Sequence, residues 1–301
     1  MILIAITGAT GNTGRPAAET LLAKVEEVRV IGRDAKKLDP FVQKGAEAFV
    51  GNVEDAASMK KAFEGATAAY LAVPGMHGEG LRAYQERVTD AYAAAIAEAR
   101  VPYAITLSSL GAQYPEKTGP IVGLHNMEEK LNRIKGLNVL HLRPAQFMEN
   151  LFMSMTALRS MGVLPGGSPG DAPQPWIATK DIGAYAAERL SARNFSGSST
   201  QELVGPRDYT LKEVAAIIGK AIGKPSLGYM QVPFMMLEPA LVQMGLPKST
   251  AALLIEMWKA MNDGLLTPRD TRSAKIKTGT TLESFALESF APTFQSKTAS
   301  S

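Results

Sequence analysis

The chain has no cysteine, which excludes disulfides, thiol catalysis and zinc–thiolate centres. Its three histidines, His77, His125 and His141, make no HxxxH or HExxH spacing, so no dedicated metal site is expected. No run of about 18 uncharged apolar residues is available to span a bilayer. No basic stretch precedes the strand-like Met1–Thr7, so no secretory leader is read, and a cytoplasmic location is the expectation. Charge of one sign is scarce too. With 32 Lys and Arg against 29 Asp and Glu, the formal net charge of +3 argues against nucleic-acid or anionic-membrane partners. What is present, 301 residues of which 46% are hydrophobic and 20% charged, suits a globular protein with a substantial core.

Short apolar runs alternate with helical patterns through the first half. Strand patterns fall on Met1–Thr7, Val28–Ile31, Ala46–Val50, Ala68–Val73, Tyr103–Leu107 and Val139–Leu142. Helical spacing lies between them, over Gly14–Lys24, Ser58–Phe63, Gly80–Arg100 and Asn126–Ile134. Strands with so little polar alternation suit a sheet covered on both faces. The order predicts an α/β fold, a Rossmann-like doubly wound parallel sheet over residues 1–150.

Past Arg143–Pro144 the pattern changes. Residues 162–175 are dense in glycine and proline and read as a loop. Asp181 suits the first turn of a helix starting at Thr179, and Leu203–Val204 reads as a short strand. Thr210 with Glu213 has capping-box spacing for a helix over Thr210–Ala221. Tyr229–Leu287 reads as mostly helical, and Gln295–Ser301 as a frayed tail. A smaller, mostly helical lobe is therefore expected over residues 151–301.

The stretch TGATGNTG, Thr7–Gly14, follows the first strand and opens the first helix. Gly8 permits a tight turn, Gly11 lets the backbone approach a pyrophosphate, and Gly14 allows close helix–strand packing. The helix amino terminus attracts the anion, and Thr10, Asn12 and Thr13 add side-chain donors. The bland alternative is a connecting turn; the strand–turn–helix setting favours a nucleotide. An NAD-preferring site tends to carry an acidic residue at the end of the second strand, whereas here that strand ends in Arg33. A guanidinium there suits a 2′-phosphate, with Lys36 and Lys37 reinforcing it and Asp34 read as a helix cap. NADP(H) is favoured over NAD(H), the alternative being a solvated loop arginine.

Taken with ITLSSLGA (105–112), HNMEEKL (125–131), LRPAQFMENL (142–151), ATKDIGAYAAERL (178–190) and ELVGPRDYTLKEVAAIIGKAIGKP (202–225), the chain resembles the NmrA-like group of atypical short-chain dehydrogenase/reductases, which includes bacterial quinone oxidoreductases. The resemblance implies that residues 176–205 return to the nucleotide-binding domain. It also implies Asn52 and Val53 beside adenine, and Ala72, Val73 and Pro74 under the ribose and nicotinamide side. The wider superfamily uses a Tyr-x-x-x-Lys dyad, whose positions fall here on Pro120 and Leu124. Neither side chain moves a proton. The quinone oxidoreductases instead carry a histidine and a lysine five apart, matching His125 and Lys130. A quinone that accepts hydride needs orientation more than a dedicated acid.

His125 is accordingly the candidate proton donor, since imidazole titrates near neutrality; the alternative is a helix-entry histidine bonded to a neighbour. Lys130 reads as a solvated helix charge and Tyr114 as a loop residue. Ser108 is expected at the cofactor and Ser109 at the substrate, both on the carboxyl edge of the sheet, or else both as turn serines. Phe147 and Asn150 match the family's F-x-E-N segment. Met153 belongs to a region rich in methionine, ten of the 14 lying between Met148 and Met261, which suggests an adaptable acceptor pocket or a soft helical core. Two functions follow: an NADPH-dependent oxidoreductase with a small quinone-like acceptor, or a non-catalytic NADP(H) sensor that docks a regulatory protein. A homodimer is compatible with either.

Overall fold

The computed structural model describes residues 2–75, 80–269 and 277–296. The chain runs through β1 (Leu3–Thr7), α1 (Gly14–Ala23), β2 (Glu27–Gly32), α2 (Ala35–Val42), β3 (Glu47–Val50), α3 (Ala56–Phe63), β4 (Ala68–Leu71), α4 (Leu81–Ala99), β5 (Tyr103–Leu107), α5 (Ile121–Asn132) and β6 (Asn138–Pro144). It continues as β7 (Gln146–Phe147), a 3₁₀ segment (Met148–Ser154), α6 (Met155–Ser160), β8 (Val163–Gly166), β9 (Gln174–Ile177), α7 (Thr179–Ala192), β10 (Ser198–Leu203) and β11 (Asp208–Tyr209). The last elements are α8 (Leu211–Ala221), β12 (Gly228–Gln231), α9 (Phe234–Gln243), α10 (Lys248–Asn262), α11 (Leu282–Phe285), a π segment (Ala286–Phe290) and α12 (Ala291–Ser296).

The main sheet has seven strands in the order β10-β6-β5-β4-β1-β2-β3, and every pairing is parallel. The order reverses between β1 and β4, so a crevice opens beyond their carboxyl ends. Side chains alternate across the sheet. Ile4, Ile6 and Val30 pack with Ala18 and Leu21 of α1 and Ile182 and Leu190 of α7. Ala5, Ile31 and Leu71 pack on the opposite face with Phe63 of α3, Val88 and Tyr92 of α4, and Met127 and Leu131 of α5. Each fully buried aliphatic side chain contributes roughly 1.5–3 kcal/mol, so two covered faces account for strands lacking polar alternation.

Residues 179–203 cross into this layer. α7 lies against α1, where a Cβ on Gly183 would come 2.6 Å from the Thr13 carbonyl, and β10 pairs with β6 at the sheet edge. The smaller lobe has its own core of Leu164, Trp176, Tyr209, Val214, Ile218, Phe285 and Phe290. A further small cluster of Leu241, Ala251 and Ile255 joins α9 to α10.

Three expectations need correcting. The 162–175 loop contains β8 and the start of β9; β8 pairs with β12, and β9 with β7 and β11. These partners lie far apart in sequence, where periodicity carries no information. α5 begins at Ile121, not Asn126, because Pro120 takes the N-cap with helical dihedrals. Gln295 and Ser296 end α12, and the remainder of the expected tail lies outside the described residues.

Candidate functional site

β1 delivers the chain into the crevice at Gly8, whose φ of +62° is the left-handed conformation that favours glycine. The turn closes with the Gly11 N–H donating to the Gly8 carbonyl at 2.8 Å. A Cβ on Gly14 would stand 2.3 Å from that same carbonyl, so the first residue of α1 must be glycine for the helix to start this close to the strand. Thr10, Gly11 and Asn12 are exposed at the tip. Thr13 borders the cleft but is nearly buried, and its hydroxyl accepts from Tyr70 at 3.0 Å.

The turn borders a cleft of about 260 Å³ that is also lined by Ala72, Val73, Pro74, Gly75, Leu107 and Phe147. Its floor is held from below. The Thr7 hydroxyl donates to the Tyr70 carbonyl at 3.0 Å and accepts the Ala72 N–H at 2.9 Å. The Tyr92 hydroxyl donates to the Ala72 carbonyl at 2.9 Å. Burial pushes the Tyr70 and Tyr92 phenols far above their ordinary range, so both stay protonated donors.

At the β2 exit, Arg33 is exposed and makes no hydrogen bond or ion pair among the described residues. Lys37 is exposed in the first turn of α2. Asp34 is occupied as the cap of that helix, its carboxylate accepting the Lys36 N–H at 3.0 Å. Asn52 accepts the Glu54 N–H at 3.2 Å in a turn after β3. Val53 turns its side chain into the core.

Beyond β5 the picture departs from expectation. Ser108 does not face the cleft. It is buried, and its hydroxyl donates at 2.5 Å to Glu128, which also forms a buried ion pair with Arg143. Ser109 is half-buried and donates to the Leu110 carbonyl at 2.9 Å. His125 lies in the second turn of α5, half-buried, with Nδ1 2.8 Å from the Ala112 carbonyl. A carbonyl only accepts, so the neutral ring carries its hydrogen on Nδ1 and leaves the Nε2 lone pair without a partner among the described residues. Lys130 is not a solvated charge; it bridges to Glu86 and Asp90 of α4. Tyr114 lies under the Arg269 guanidinium at 5.5 Å. Pro120 accepts from the Gln85 side chain at 3.0 Å, and Leu124 packs on the core.

Phe147 forms part of the cleft wall, whereas Asn150 and Met153 are exposed in the 3₁₀ segment and do not border it. The methionines of this region divide between two settings. Met148 and Met155 fill the core of the smaller lobe, while Met153, Met161, Met230, Met235, Met236 and Met244 face outward.

Glu149 was not singled out from the sequence. Its carboxylate accepts the Thr179 N–H and hydroxyl, the latter at 2.6 Å, and burial raises its pKa. The buried Glu128–Arg143 pair was missed as well. Its one sequence signal is an acidic residue in α5 and an arginine ending β6, which become partners only when the strands align. Among the described residues no group of three His, Cys, Asp or Glu side chains can hold a metal ion, and no helix is long and apolar enough to cross a membrane.

The cleft suits a dinucleotide. A glycine turn at a helix amino terminus, an exposed guanidinium after β2 that is unpaired among the described residues, and an apolar far wall are the donor, charge and ring-binding features it requires. Comparison with known protein families matches residues 2–289 to the NmrA-like family. The chain belongs to that family. It is 24% identical over 260 residues to an NAD(P)H azoreductase from Xenophilus azovorans, covering 85% of this chain and 86% of the relative. It is 28% identical over 259 residues to quinone oxidoreductase 2 of Escherichia coli, covering 84% and 86%. Among solved structures, the E. coli NADPH-dependent quinone oxidoreductase complexed with NADPH superposes with a TM-score of 0.81 at 25% identity, over 95% of this chain and 99% of that one.

Proposed function

We propose that this family member is an NADPH-dependent oxidoreductase that passes hydride to a quinone-like or other conjugated carbonyl acceptor without a Tyr–Lys dyad. One observation carries the reading: the Gly8–Gly14 turn shares a single cleft with the apolar wall of Leu107 and Phe147. The relative named a quinone oxidoreductase supports this acceptor class, and the one named an NAD(P)H azoreductase supports reduction at the expense of NAD(P)H with a different acceptor.

Gly8, Thr10, Gly11, Asn12 and Gly14, with the Thr13 main chain, hold the diphosphate. Arg33 and Lys37 pair with the 2′-phosphate. Asn52 and Val53 flank adenine, and Ala72, Val73 and Pro74 support the ribose. Bound NADPH supplies the hydride. The chain itself orients the acceptor: Phe147 offers a flat apolar face, and Ser109 a hydroxyl at the carboxyl edge of the sheet. Because the neutral His125 ring has its hydrogen committed to Ala112, proton delivery from Nε2 requires the imidazolium form.

A second reading, a non-catalytic NADP(H) sensor that docks a regulatory protein, is favoured by Pro120 and Leu124 at the dyad positions. NADPH oxidation measured against a panel of quinones and enones separates the two. Turnover that drops about tenfold or more in His125→Gln is expected for the enzyme. Tight NADPH binding with no turnover on any acceptor sinks the enzymatic reading.

A further inference from the structure

We infer that Glu128, acting with Arg143 and Gln113, is the positioning residue of His125; this rests on the reading above, in which His125 serves the acceptor. Glu128 stands three positions after His125 in α5, and at 4% exposure its carboxylate is nearly removed from water. One oxygen accepts the Ser108 hydroxyl at 2.5 Å and the Arg143 Nε–H at 2.9 Å, and the other accepts an Arg143 Nη2 hydrogen. The same guanidinium reaches the Gln113 side-chain oxygen through Nη1 at 3.4 Å. Gln113 directly follows Ala112, whose carbonyl holds the His125 Nδ1–H. One buried network therefore restrains the imidazole from two sides. Glu128 locates the helix that bears it, and Arg143 steadies the turn that fixes its tautomer.

The platform beneath is rigid. Ser108 N–H donates to the Leu142 carbonyl at 2.7 Å, and Leu110 N–H to Pro144 at 3.1 Å, so the β5 and β6 exits move together. Helix attachment alone does not call for these charges, because Met127 and Leu131 already pack α5 on the sheet. A buried ion pair seldom adds net stability over apolar packing, and one attested use of such a pair is to define a single geometry. Here the geometry is a ring with Nδ1–H directed to a carbonyl and Nε2 left open.

The experiment is ¹⁵N-edited NMR of the imidazole groups, tractable with three histidines and assigned with His125→Gln. It runs beside quinone turnover and NADPH binding in Glu128→Gln and in Gln113→Leu, the latter a milder change outside the core. The expected result is an Nδ1–H tautomer for His125 in the unmodified chain and a mixture in both variants. Turnover number falls about tenfold in Glu128→Gln while the NADPH Kd stays within twofold, and adding His125→Gln causes no further loss. Should Glu128→Gln fail to fold, the tautomer and turnover of Gln113→Leu decide. An unaltered tautomer in a folded variant, or additive losses in the double variant, overturns the inference. A tautomer change in Glu128→Gln alongside full turnover in His125→Gln leaves the positioning intact and removes instead the catalytic role of His125.

Discussion

Gly119 offers a sharp quantitative test of how the small lobe meets the candidate site. It directly precedes Pro120, the N-cap of the helix that carries His125, and its φ is +60°. A Cβ built on it lies 2.1 Å from the Leu253 carbonyl oxygen and 3.0 Å from the Met257 nitrogen. Both atoms are α10 backbone, so no side-chain rotation relieves the clash. Gly119→Ala incurs the left-handed backbone penalty of about 1–2 kcal/mol. It also incurs an overpacking penalty of about 1–3 kcal/mol as α10 is displaced. Gly136→Ala is the control, with φ +81° and nothing within 4 Å of its Cβ. The left-handed backbone penalty and the gain from a stiffer unfolded chain enter both variants, so most of each drops out of the difference. Gly119→Ala should therefore unfold at lower urea with an unchanged m-value, about 1–3 kcal/mol less stable than Gly136→Ala. NADPH affinity should be equal in the two, because α10 does not border the cleft. Equal stability losses at the two glycines would refute the close packing of α10 on this turn.

Arg33→Ala should weaken NADPH binding roughly 10–100-fold, the range of lost charge-assisted hydrogen bonds, and leave NADH nearly unaffected. Isothermal titration of both cofactors checks this, and an unchanged affinity ratio removes the 2′-phosphate assignment. His141 is buried between the Thr106 hydroxyl at 2.8 Å and the Asn132 side-chain oxygen at 2.9 Å, and desolvation lowers its pKa to about 4. Its folded pKa lies below the unfolded value, so the unfolded chain binds the extra proton and stability is lost as pH falls between about 6.5 and 4. The loss reaches about 3 kcal/mol at the lower end. Urea midpoints across that window should fall less steeply in His141→Asn, and parallel acid limbs would contradict the assignment.

Much of the nucleotide side was legible because it depends on neighbours in the chain. The glycine turn needs only three glycines between a strand and a helix, and Asp34 as a cap needs only the helix that follows it. Side-chain direction was less accessible. Thr13 and Val53 sit at the expected positions yet turn toward Tyr70 and the core, since which face of the turn is buried depends on packed helices. Ser108 was misjudged for the same reason: a serine at a strand end looks the same whether it faces a cleft or a buried carboxylate.

The sequence by itself determined the alternating β and α order, the parallel sheet, the phosphate turn and the arginine after the second strand. Each is written in local spacing, where backbone periodicity and a few special residues suffice. Tertiary structure alone decided that Glu128, Arg143 and Ser108 meet, that β8 and β12 pair, and that Met148 and Met155 are buried while Met235 and Met236 face outward. Those outcomes rest on register and packing between segments far apart in the chain, whose hydrogen bonds and buried charges exist only once the sheet has assembled.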